Sequence, residues 1–375
     1  MLDLDFSPEQ QLLATTARDV LARHCPLEVV RAMEDDPVGY PVDLWRQLGE
    51  LDLVGLLLPE AYGGSGMTLL EGVALYQELG RALAPTPHFV SAVMGGGVLA
   101  AAGSDEQKDR WLSSVSSGEA ILTPAWLEPE GAFSPLGVQM RAVPSGGGFT
   151  LSGTKRHVTF AKAADHLVVL ARTGDGPADI DLFLVDPAAG GVTLTQRFSI
   201  ASDTQYDVVF EAVEVAEHER IGAPQSGWAT WTEVLEPALV LLAAQAIGGA
   251  RQALDITVQY AKDRHQFTKP LGAFQAIAHY LADAVTAVDG GEQLVHEAAW
   301  AAAEGRPVNR LAPMSKLFAC RTYRDVTAMA QQVFGGIGFT LDFDIQLYFR
   351  RAKQLQLSWA DTSSLEEAVA AAVLD

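Results

Sequence analysis

A cation, an amide and an aromatic ring occur within four residues of one another where two long apolar segments meet. Arg264, Gln266 and Phe267 precede Pro270 in residues 260–275. A guanidinium can pair with a diphosphate through two parallel hydrogen bonds, and a phenyl ring offers a flat apolar face to an adenine. The stretch therefore has the residue types of a nucleotide-binding loop. An ordinary helix connector is the alternative, and these residues alone do not decide between the two.

Helical periodicity on both sides predicts that this stretch joins two buried helices. Apolar residues recur at helical spacing before it and again after it. The positions are Leu235, Leu239, Leu242, Ala246, Ala253 and Ile256 before it, and Phe274, Ile277, Leu281, Val285 and Val288 after it. Pro270 can end the first helix and open the second. The natural packing of such helices is a bundle.

A second candidate binding segment, QVFGGIGF at residues 332–339, follows a helix predicted near residues 313–334. Glycines stop a helix well. They also allow a diphosphate to approach backbone N–H groups closely. The segment is therefore either a simple helix end or a phosphate-binding turn.

The rest of the chain predicts an α+β protein with three parts. Residues 1–119 predict an N-terminal α-helical domain, which begins with a helix cap at Ser7. Residues 120–226 predict a middle β domain, because short strand-like runs alternate with Gly, Pro, Asp and Ser. Residues 227–375 predict a C-terminal helical bundle.

Composition limits the partners of this protein. A chain of 375 residues with 49% hydrophobic content can bury a large core. Its net charge of −21 argues against nucleic acid or an anionic membrane as a general partner. A phosphate-bearing ligand would need local basic residues. Three clusters supply them, namely Lys155 with Arg156, Arg264 with Lys269, and Arg350, Arg351 and Lys353.

Cysteine usage and the N-terminus predict a soluble, cytoplasmic protein. Cys25 and Cys320 lie far apart and indicate two free thiols in a reducing compartment. The chain does not begin with a basic region followed by an apolar run, and the apolar stretch at residues 238–250 is too short to span a bilayer. The eight histidines have no metal-ligand spacing, and no phosphate-loop, dinucleotide-fingerprint or serine-hydrolase motif occurs. We therefore expect no metal site.

The sequence resembles the acyl-CoA dehydrogenase family from about residue 55 to residue 357. The pattern R-x-Q-F, followed by P-L and F-Q, is similar to the family's flavin-contacting segment. The resemblance implies that FAD is contacted by Arg264, Gln266, Phe267, Leu271, Phe274 and Gln275. Thr268 stands where the family usually has glycine.

Two further segments resemble the same family. Q-V-F-G-G-x-G-F is similar to the segment that reaches the flavin of a neighbouring subunit, which implies an oligomer. Residues 152–172 resemble the strand pair beside the flavin ring, with a histidine where tryptophan is usual. The cofactor contacts implied by these segments are Gln332, Gly335, Gly336, Thr159 and His157.

The catalytic base is where the sequence departs from the family. Desaturation of an acyl thioester needs a base that removes the α-proton while hydride leaves the β-carbon for the flavin. Residues 350–353 reproduce the helix that precedes the family's Tyr-Glu-Gly-Thr segment, but counting from Lys353 places Trp359 at the usual glutamate. Asp361 is the nearest carboxylate, and we predict that it is the base, in a turn of low polarity that raises its pKa.

Other roles for these carboxylates remain open. Asp361 also precedes Ser363 and Ser364, which predict two overlapping capping boxes with Glu366 and Glu367 at the start of the last helix. Some family members carry the base on the helix that contains Glu236. Glu236 and Glu233 are therefore reserve candidates.

Two functions follow from the resemblance. The first is FAD-dependent α,β-dehydrogenation of an acyl-CoA thioester to a trans-2-enoyl-CoA, with electrons passed to an electron-transfer flavoprotein. The second is a non-catalytic or half-site partner subunit of a heteromeric acyl-CoA dehydrogenase. In either case the chain is expected in a homo-oligomer or in a hetero-oligomer with a related chain.

Overall fold

The computed structural model describes residues 4–129 and 131–374. Those residues form eleven α-helices and ten β-strands. The helices are α1 (Pro8–His24), α2 (Leu27–Ala32), α3 (Val42–Glu50), α4 (Leu69–Arg81), α5 (Gly97–Ala102), α6 (Asp105–Ser117), α7 (Gly227–Asp263), α8 (Gln275–Ala303), α9 (Leu311–Phe334), α10 (Ile345–Leu357) and α11 (Thr362–Leu374). The strands are β1 (Leu122–Ala125), β2 (Arg141–Ser145), β3 (Gly148–Thr159), β4 (His166–Arg172), β5 (Ile180–Val185), β6 (Val192–Arg197), β7 (Gln205–Ala216), β8 (Arg220–Ile221), β9 (His265–Gln266) and β10 (Lys269–Pro270).

One compact unit is helical and is assembled from three stretches of the chain. It comprises residues 1–30, 68–84 and 236–375, and so contains α1, α4, most of α7 and α8 to α11. Helix α7 is long and apolar enough to cross a membrane, but 67% of its most apolar window is buried inside the fold. This is the burial expected of a core helix in a bundle.

The second compact unit is built around a sheet. It comprises residues 31–67 and 85–235. The strand order is β6-β7-β3-β2-β4-β5-β8, and β1 pairs with β4 in parallel. The long antiparallel pair of β3 and β7 has two register shifts, one of them between Lys155 and Val158. A shift of this kind is a β-bulge, which bends the strand and redirects a side chain.

The predicted α+β class is confirmed, with helical N- and C-terminal parts and a central sheet. The N-terminal helices are divided between the two compact units, because α1 and α4 pack in the helical unit whereas α3, α5 and α6 belong to the sheet unit. The two boundaries between the three predicted domains, at residues 119/120 and 226/227, stay a prediction.

The first half of α8 is less buried than its periodicity predicts. Leu281 is only half-buried and Val285 is 39% exposed. Together with Val258 and Ala261 of α7, they line a cavity of about 650 Å³. The apolar stripe of this half-helix therefore faces an open groove instead of the core of its own chain.

Glycines allow α4 and α7 to pack with their backbones in contact. A Cβ atom on Gly80 would lie 1.9 Å from the carbonyl oxygen of Gln245, and a Cβ on Gly248 would lie 1.9 Å from that of Gln77. Close packing also explains Gly291 of α8, whose Cβ would lie 2.5 Å from Ile247 Cδ1. Gly80 and Gly248 exclude even a methyl group, because the opposing atoms are backbone, whereas at Gly291 the end of the Ile247 side chain would have to move.

We expect Gly80→Ala to destabilise the protein by about 3 kcal/mol, since the methyl group must push two helix backbones apart. Gly290→Ala is the matched control, because a Cβ at this helical position meets no atom within 4 Å. The control should stabilise the fold by about 0.5–1 kcal/mol through the better helix propensity of alanine. Urea unfolding midpoints measure both. A Gly80→Ala variant as stable as the parent would contradict the close crossing.

Candidate functional site

The stretch after α7 is a two-residue β-hairpin. Strand β9 pairs with β10, and the loop between them consists of Phe267 and Thr268. Both loop residues have left-handed backbones, with φ of 50° and 70°. This geometry is that of the hairpin turns that usually carry glycine or asparagine. The backbone N–H of Leu271 donates to the carbonyl of Arg264 at 2.8 Å and closes the hairpin.

The hairpin presents its side chains to solvent. Phe267 is 85% exposed, and Arg264 and Gln266 are also exposed. Within residues 4–129 and 131–374, no group forms a hydrogen bond or an ion pair with the Arg264 guanidinium. Lys269 differs, because its Nζ lies 4.2 Å from the centroid of the Phe274 ring. The Phe267 ring and the Arg264 guanidinium are therefore both accessible to a ligand or a partner.

The glycine segment is held near this hairpin by an aromatic stack. Tyr260, in the last turn of α7, stacks on Phe334, the last residue of α9, with ring centroids 4.1 Å apart. Arg264 follows Tyr260 by one helical turn, and Gly335 follows Phe334 directly. The structure therefore brings these two predicted segments to one end of the helical unit.

The backbone of the glycine segment is open to a ligand. Gly335 has φ of 66°, and Cβ atoms on Gly335 or Gly336 would meet no atom within 4 Å. Gln332 is exposed, whereas its neighbour Gln331 is buried beneath Gly338. The sequence predicts either a simple helix end or a phosphate-binding turn here. The segment is a helix end and also leaves its backbone accessible.

Thr159 and His157 lie in the sheet unit, with His157 inside the bulge between Lys155 and Val158 and Thr159 after it at the end of β3. The Thr123 hydroxyl donates to the Thr159 carbonyl at 2.6 Å, so the end of this strand is tied to β1. His157 is exposed and has a left-handed backbone with φ of 54°. Its Nδ1 lies 2.5 Å from Oε1 of Gln205. The two predicted contacts in this unit are thus two residues apart on one strand.

Lys155 is not available to a phosphate, which corrects an expectation from the sequence. The side chain is fully buried, and its Nζ donates to Glu128 Oε1 at 2.7 Å and to the Trp126 carbonyl at 3.3 Å. Burial lowers the pKa of Lys155 to about 8, although Glu128 opposes the shift. The pair joins β3 to the 126–128 segment. Arg156 is also engaged, with Nε 3.4 Å from Asp207.

A second buried lysine organises the turn that carries Asp361, and sequence reasoning missed it. Lys316 of α9 donates from Nζ to the carbonyls of Ala360 at 2.8 Å and Leu355 at 3.3 Å. Burial lowers its pKa. Its place one turn after Ala312, within the apolar stripe of α9, is the signal in the sequence that it faces the core.

Asp361 is the N-cap of α11. Its Oδ1 accepts from the Ser364 backbone N–H at 2.9 Å and from the Ser364 hydroxyl at 2.7 Å. The bond from the Ser364 backbone is the largest cause that lowers the pKa of Asp361. The expectation of a raised pKa is therefore wrong. The predicted capping boxes are also wrong, because α11 already begins at Thr362 and places Ser363 and Ser364 inside the helix.

Glu236 of α7 shows the opposite behaviour. Its side chain is half-buried, and burial raises its pKa. No hydrogen bond or ion pair to its carboxylate is formed within the described residues. A raised pKa is common among general bases.

Comparison with known proteins identifies the class. Family descriptions match residues 7–119 (acyl-CoA dehydrogenase, N-terminal domain), 124–213 (middle domain) and 225–359 (C-terminal domain). The chain belongs to the acyl-CoA dehydrogenase family and is an oxidoreductase of that class.

Individual relatives match over nearly the whole chain. A probable acyl-CoA dehydrogenase of Bacillus subtilis, YngJ, is 30% identical over 99% of both chains. Subunit CarC of the caffeyl-CoA reductase–Etf complex of Acetobacterium woodii is 27% identical over 98% of this chain and 99% of its own. The ChsE4–ChsE5 complex of Mycobacterium tuberculosis contains a chain with a TM-score of 0.91 and 27% identity, covering 100% of this chain and 99% of that chain.

We predict that Thr268→Gly stabilises the protein by about 1 kcal/mol, because a β-branched residue at positive φ is strained. Thr286→Gly is the control, since this exposed threonine lies inside α8. The control should lose about 0.5 kcal/mol through helix propensity. Thermal unfolding of the two variants measures the difference. Equal destabilisation by both would show that Thr268 is not strained.

Proposed function

We propose that this protein is a flavoenzyme that binds FAD and oxidises an acyl-CoA thioester to a trans-2-enoyl-CoA. The observation that carries the proposal is the surface at the end of α7, where an unpaired Arg264 and an exposed Phe267 lie near the open glycine backbone. A cation, an aromatic face and an accessible glycine backbone fit a dinucleotide with a diphosphate. When bound, FAD supplies the acceptor for the hydride from the substrate.

The main proposed cofactor contacts are of two kinds, namely polar groups that bind the diphosphate and aromatic rings that form an apolar wall. Arg264 would pair with the diphosphate, and the backbone N–H of Gly336 would donate a hydrogen bond to it, whereas the N–H of Gly335 already donates to the Gln331 carbonyl. Phe267 and Phe274, whose ring centroids lie 6.3 Å apart, would form an apolar wall. The remaining proposed contacts are Gln266, Leu271, Gln275, Gln332, Thr159 and His157.

Arg264→Ala tests the cofactor assignment. The loss of a charge-assisted contact to phosphate should weaken FAD binding by roughly tenfold to a hundredfold. Arg264→Lys should restore part of the affinity, because the charge remains without the planar fork. Arg46→Ala removes an exposed arginine of α3 and is the control. FAD titration followed by fluorescence measures all three. Unchanged affinity in Arg264→Ala would remove this residue from the site.

We propose Asp361 as the base, and a specific observation favours Glu236 as a second candidate. Asp361 follows the helix that resembles the family's, but its hydrogen bonds stabilise the anion and make it a weaker base. Glu236 has no such bonds, and its pKa is raised. Either carboxylate could accept the α-proton only in its ionised form.

The two candidates differ in their dependence on pH. A base must be deprotonated, so kcat/KM falls as the pH drops through its pKa. For Asp361 the fall should come below its ordinary value of 3.8, and for Glu236 above its ordinary value of 4.5. Asp361→Asn and Glu236→Gln should separate them. The variant that lacks the base should slow flavin reduction by roughly 10²–10⁴-fold, and stopped-flow absorbance measures this. Normal reduction rates in both variants would exclude both carboxylates.

We further propose that electrons pass to an electron-transfer flavoprotein and that the working form is an oligomer. The relative CarC is named as a subunit of a complex with Etf, which supports the first point. Phe267 and Phe339 are 85% and 69% exposed, and the groove along α8 is apolar, which supports the second. The two buried free thiols are consistent with a cytoplasmic location.

A half-site subunit of a heteromeric acyl-CoA dehydrogenase is the alternative function. Trp359 at the usual glutamate favours it, as does the similarity to a chain of the ChsE4–ChsE5 complex. Sedimentation of the chain alone, with its flavin content, separates the two functions. A flavin-loaded homo-oligomer that reduces its flavin with acyl-CoA supports the enzyme. A protein that takes up flavin only with a related chain supports the half-site subunit.

A further inference from the structure

His157 is presented to solvent by a defect in the sheet. The register of β3 against β7 shifts between Lys155 and Val158, and His157 lies inside this bulge. Its left-handed backbone, with φ of 54°, is one that histidine adopts more readily than most residues. Bulges near functional sites redirect a side chain away from the regular alternation. Here the bulge turns an imidazole outward two residues before Thr159.

The outward imidazole is held by a chain of hydrogen bonds. His157 Nδ1 lies 2.5 Å from Gln205 Oε1, and Gln205 Nε2 donates to Asp203 Oδ1 at 3.1 Å. The Ser199 hydroxyl donates to the same Asp203 oxygen and itself accepts from the Ala201 backbone N–H at 3.1 Å. Gln205 is 8% exposed, and its backbone is the register partner of Thr159 on β3. We call this hydrogen-bonded chain, from Ser199 through Asp203 and Gln205 to His157, the relay. Its Gln205 is fixed by the sheet.

The chemistry of this relay selects one form of the imidazole. An ionised carboxylate can only accept, so the amide nitrogen of Gln205 must face Asp203. The amide oxygen of Gln205 then faces His157 and can only accept as well. Nδ1 of His157 must therefore carry a proton. In the neutral ring this leaves the lone pair on Nε2, which has no partner within the described residues.

We propose that Gln205 and Asp203 are positioning residues that hold His157 as its Nδ1–H tautomer, so that Nε2 accepts a hydrogen bond from an N–H or O–H group of a bound ligand. The identity of that ligand as FAD rests on the proposed function. The relay itself does not, because it is built from side chains of the sheet unit alone. In relatives with tryptophan at this position, the indole N–H can only donate.

The tautomer can be measured without any cofactor. The full chain is labelled with ¹⁵N-histidine, and long-range ¹H–¹⁵N correlation spectra are recorded at mildly alkaline pH. The His157 signals are assigned by their absence in His157→Asn, because asparagine tolerates the left-handed backbone. The parent protein should show the Nδ1–H form. Free histidine in water favours the Nε2–H form, so the relay must reverse the usual preference.

Variants of the relay provide the contrast. Gln205→Leu should return His157 to the Nε2–H form, and Gln205→Glu should restore Nδ1–H, since a carboxylate also accepts. Gln196→Leu is the control, because Gln196 pairs with the residue after Gln205 on β7 and donates to the Asp35 carbonyl, away from His157. If Gln205→Leu does not fold, Asp203→Asn frees the Gln205 amide to rotate and should produce a mixture of tautomers. An Nε2–H form in the parent overturns the proposal, and so does an Nδ1–H form that persists in Gln205→Leu, or in Asp203→Asn if Gln205→Leu does not fold.

Cofactor binding separates this proposal from the proposed function. If FAD binds, Gln205→Leu should weaken it by about fivefold, the value of one hydrogen bond, whereas Gln196→Leu should not. Unchanged FAD affinity in Gln205→Leu, together with the tautomer change, would overturn the ligand contact and leave the relay. If the parent protein does not bind FAD at all, the proposed function fails, and the NMR result still decides whether Gln205 positions His157.

Discussion

Contact between the backbones of α4 and α7 fixes the position of α7 and so of the hairpin that follows it. At Gly80 and Gly248 no atom separates the two helices, so α7 cannot slide or rotate without a clash. A polar bond reinforces the same crossing, because Arg81 donates to Gln252 of α7 at 2.5 Å. The Arg81 carbonyl also accepts from the Tyr348 hydroxyl of α10 at 2.8 Å. The last turn of α7 is therefore a rigid base for the hairpin. Precise placement of a binding group needs such a support from regular elements.

Four residues in segments singled out from the sequence have strained backbones. His157, Phe267, Thr268 and Trp359 all have positive φ although none is glycine. Each costs on the order of 1–3 kcal/mol and persists only if the surrounding structure holds it. Here the holding elements are identifiable, namely a bulged ladder for His157, a closed hairpin for Phe267 and Thr268, and the buried Lys316 for the turn of Trp359. Seven further non-glycine residues of the described part of the chain also have positive φ, so positive φ by itself does not mark a functional segment.

Local sequence patterns predicted the long helices, whereas burial that depends on contacts distant in sequence was not predicted. Periodicity predicted α7, α8 and α9, and the fold class is confirmed. Periodicity also predicted that the first half of α8 is buried, but this half-helix lines an open groove. The prediction failed because periodicity detects an apolar face without identifying what covers it. The charged residues were harder to place. Lysine generally prefers solvent, so the sequence predicted that Lys155 is available to a ligand and gave no role to Lys316. Both are buried, and their partners, Glu128 for Lys155 and two backbone carbonyls for Lys316, are distant in sequence and could not be identified from it.

The proton acceptor is where local structure and chemistry conflict most clearly. A carboxylate that caps a helix is stabilised as an anion, so protonating Asp361 during turnover would weaken two hydrogen bonds at the start of α11. A carboxylate that is half-buried without partners gains by taking up a proton, and Glu236 has this environment on the helix whose position the glycine crossing fixes. The stronger base is thus the carboxylate that loses fewer hydrogen bonds when it is protonated. By that criterion Glu236 is the stronger base of the two proposed candidates, whereas Asp361 is favoured by its position after the helix of residues 350–353. A chain that uses neither would need a carboxylate from its partner.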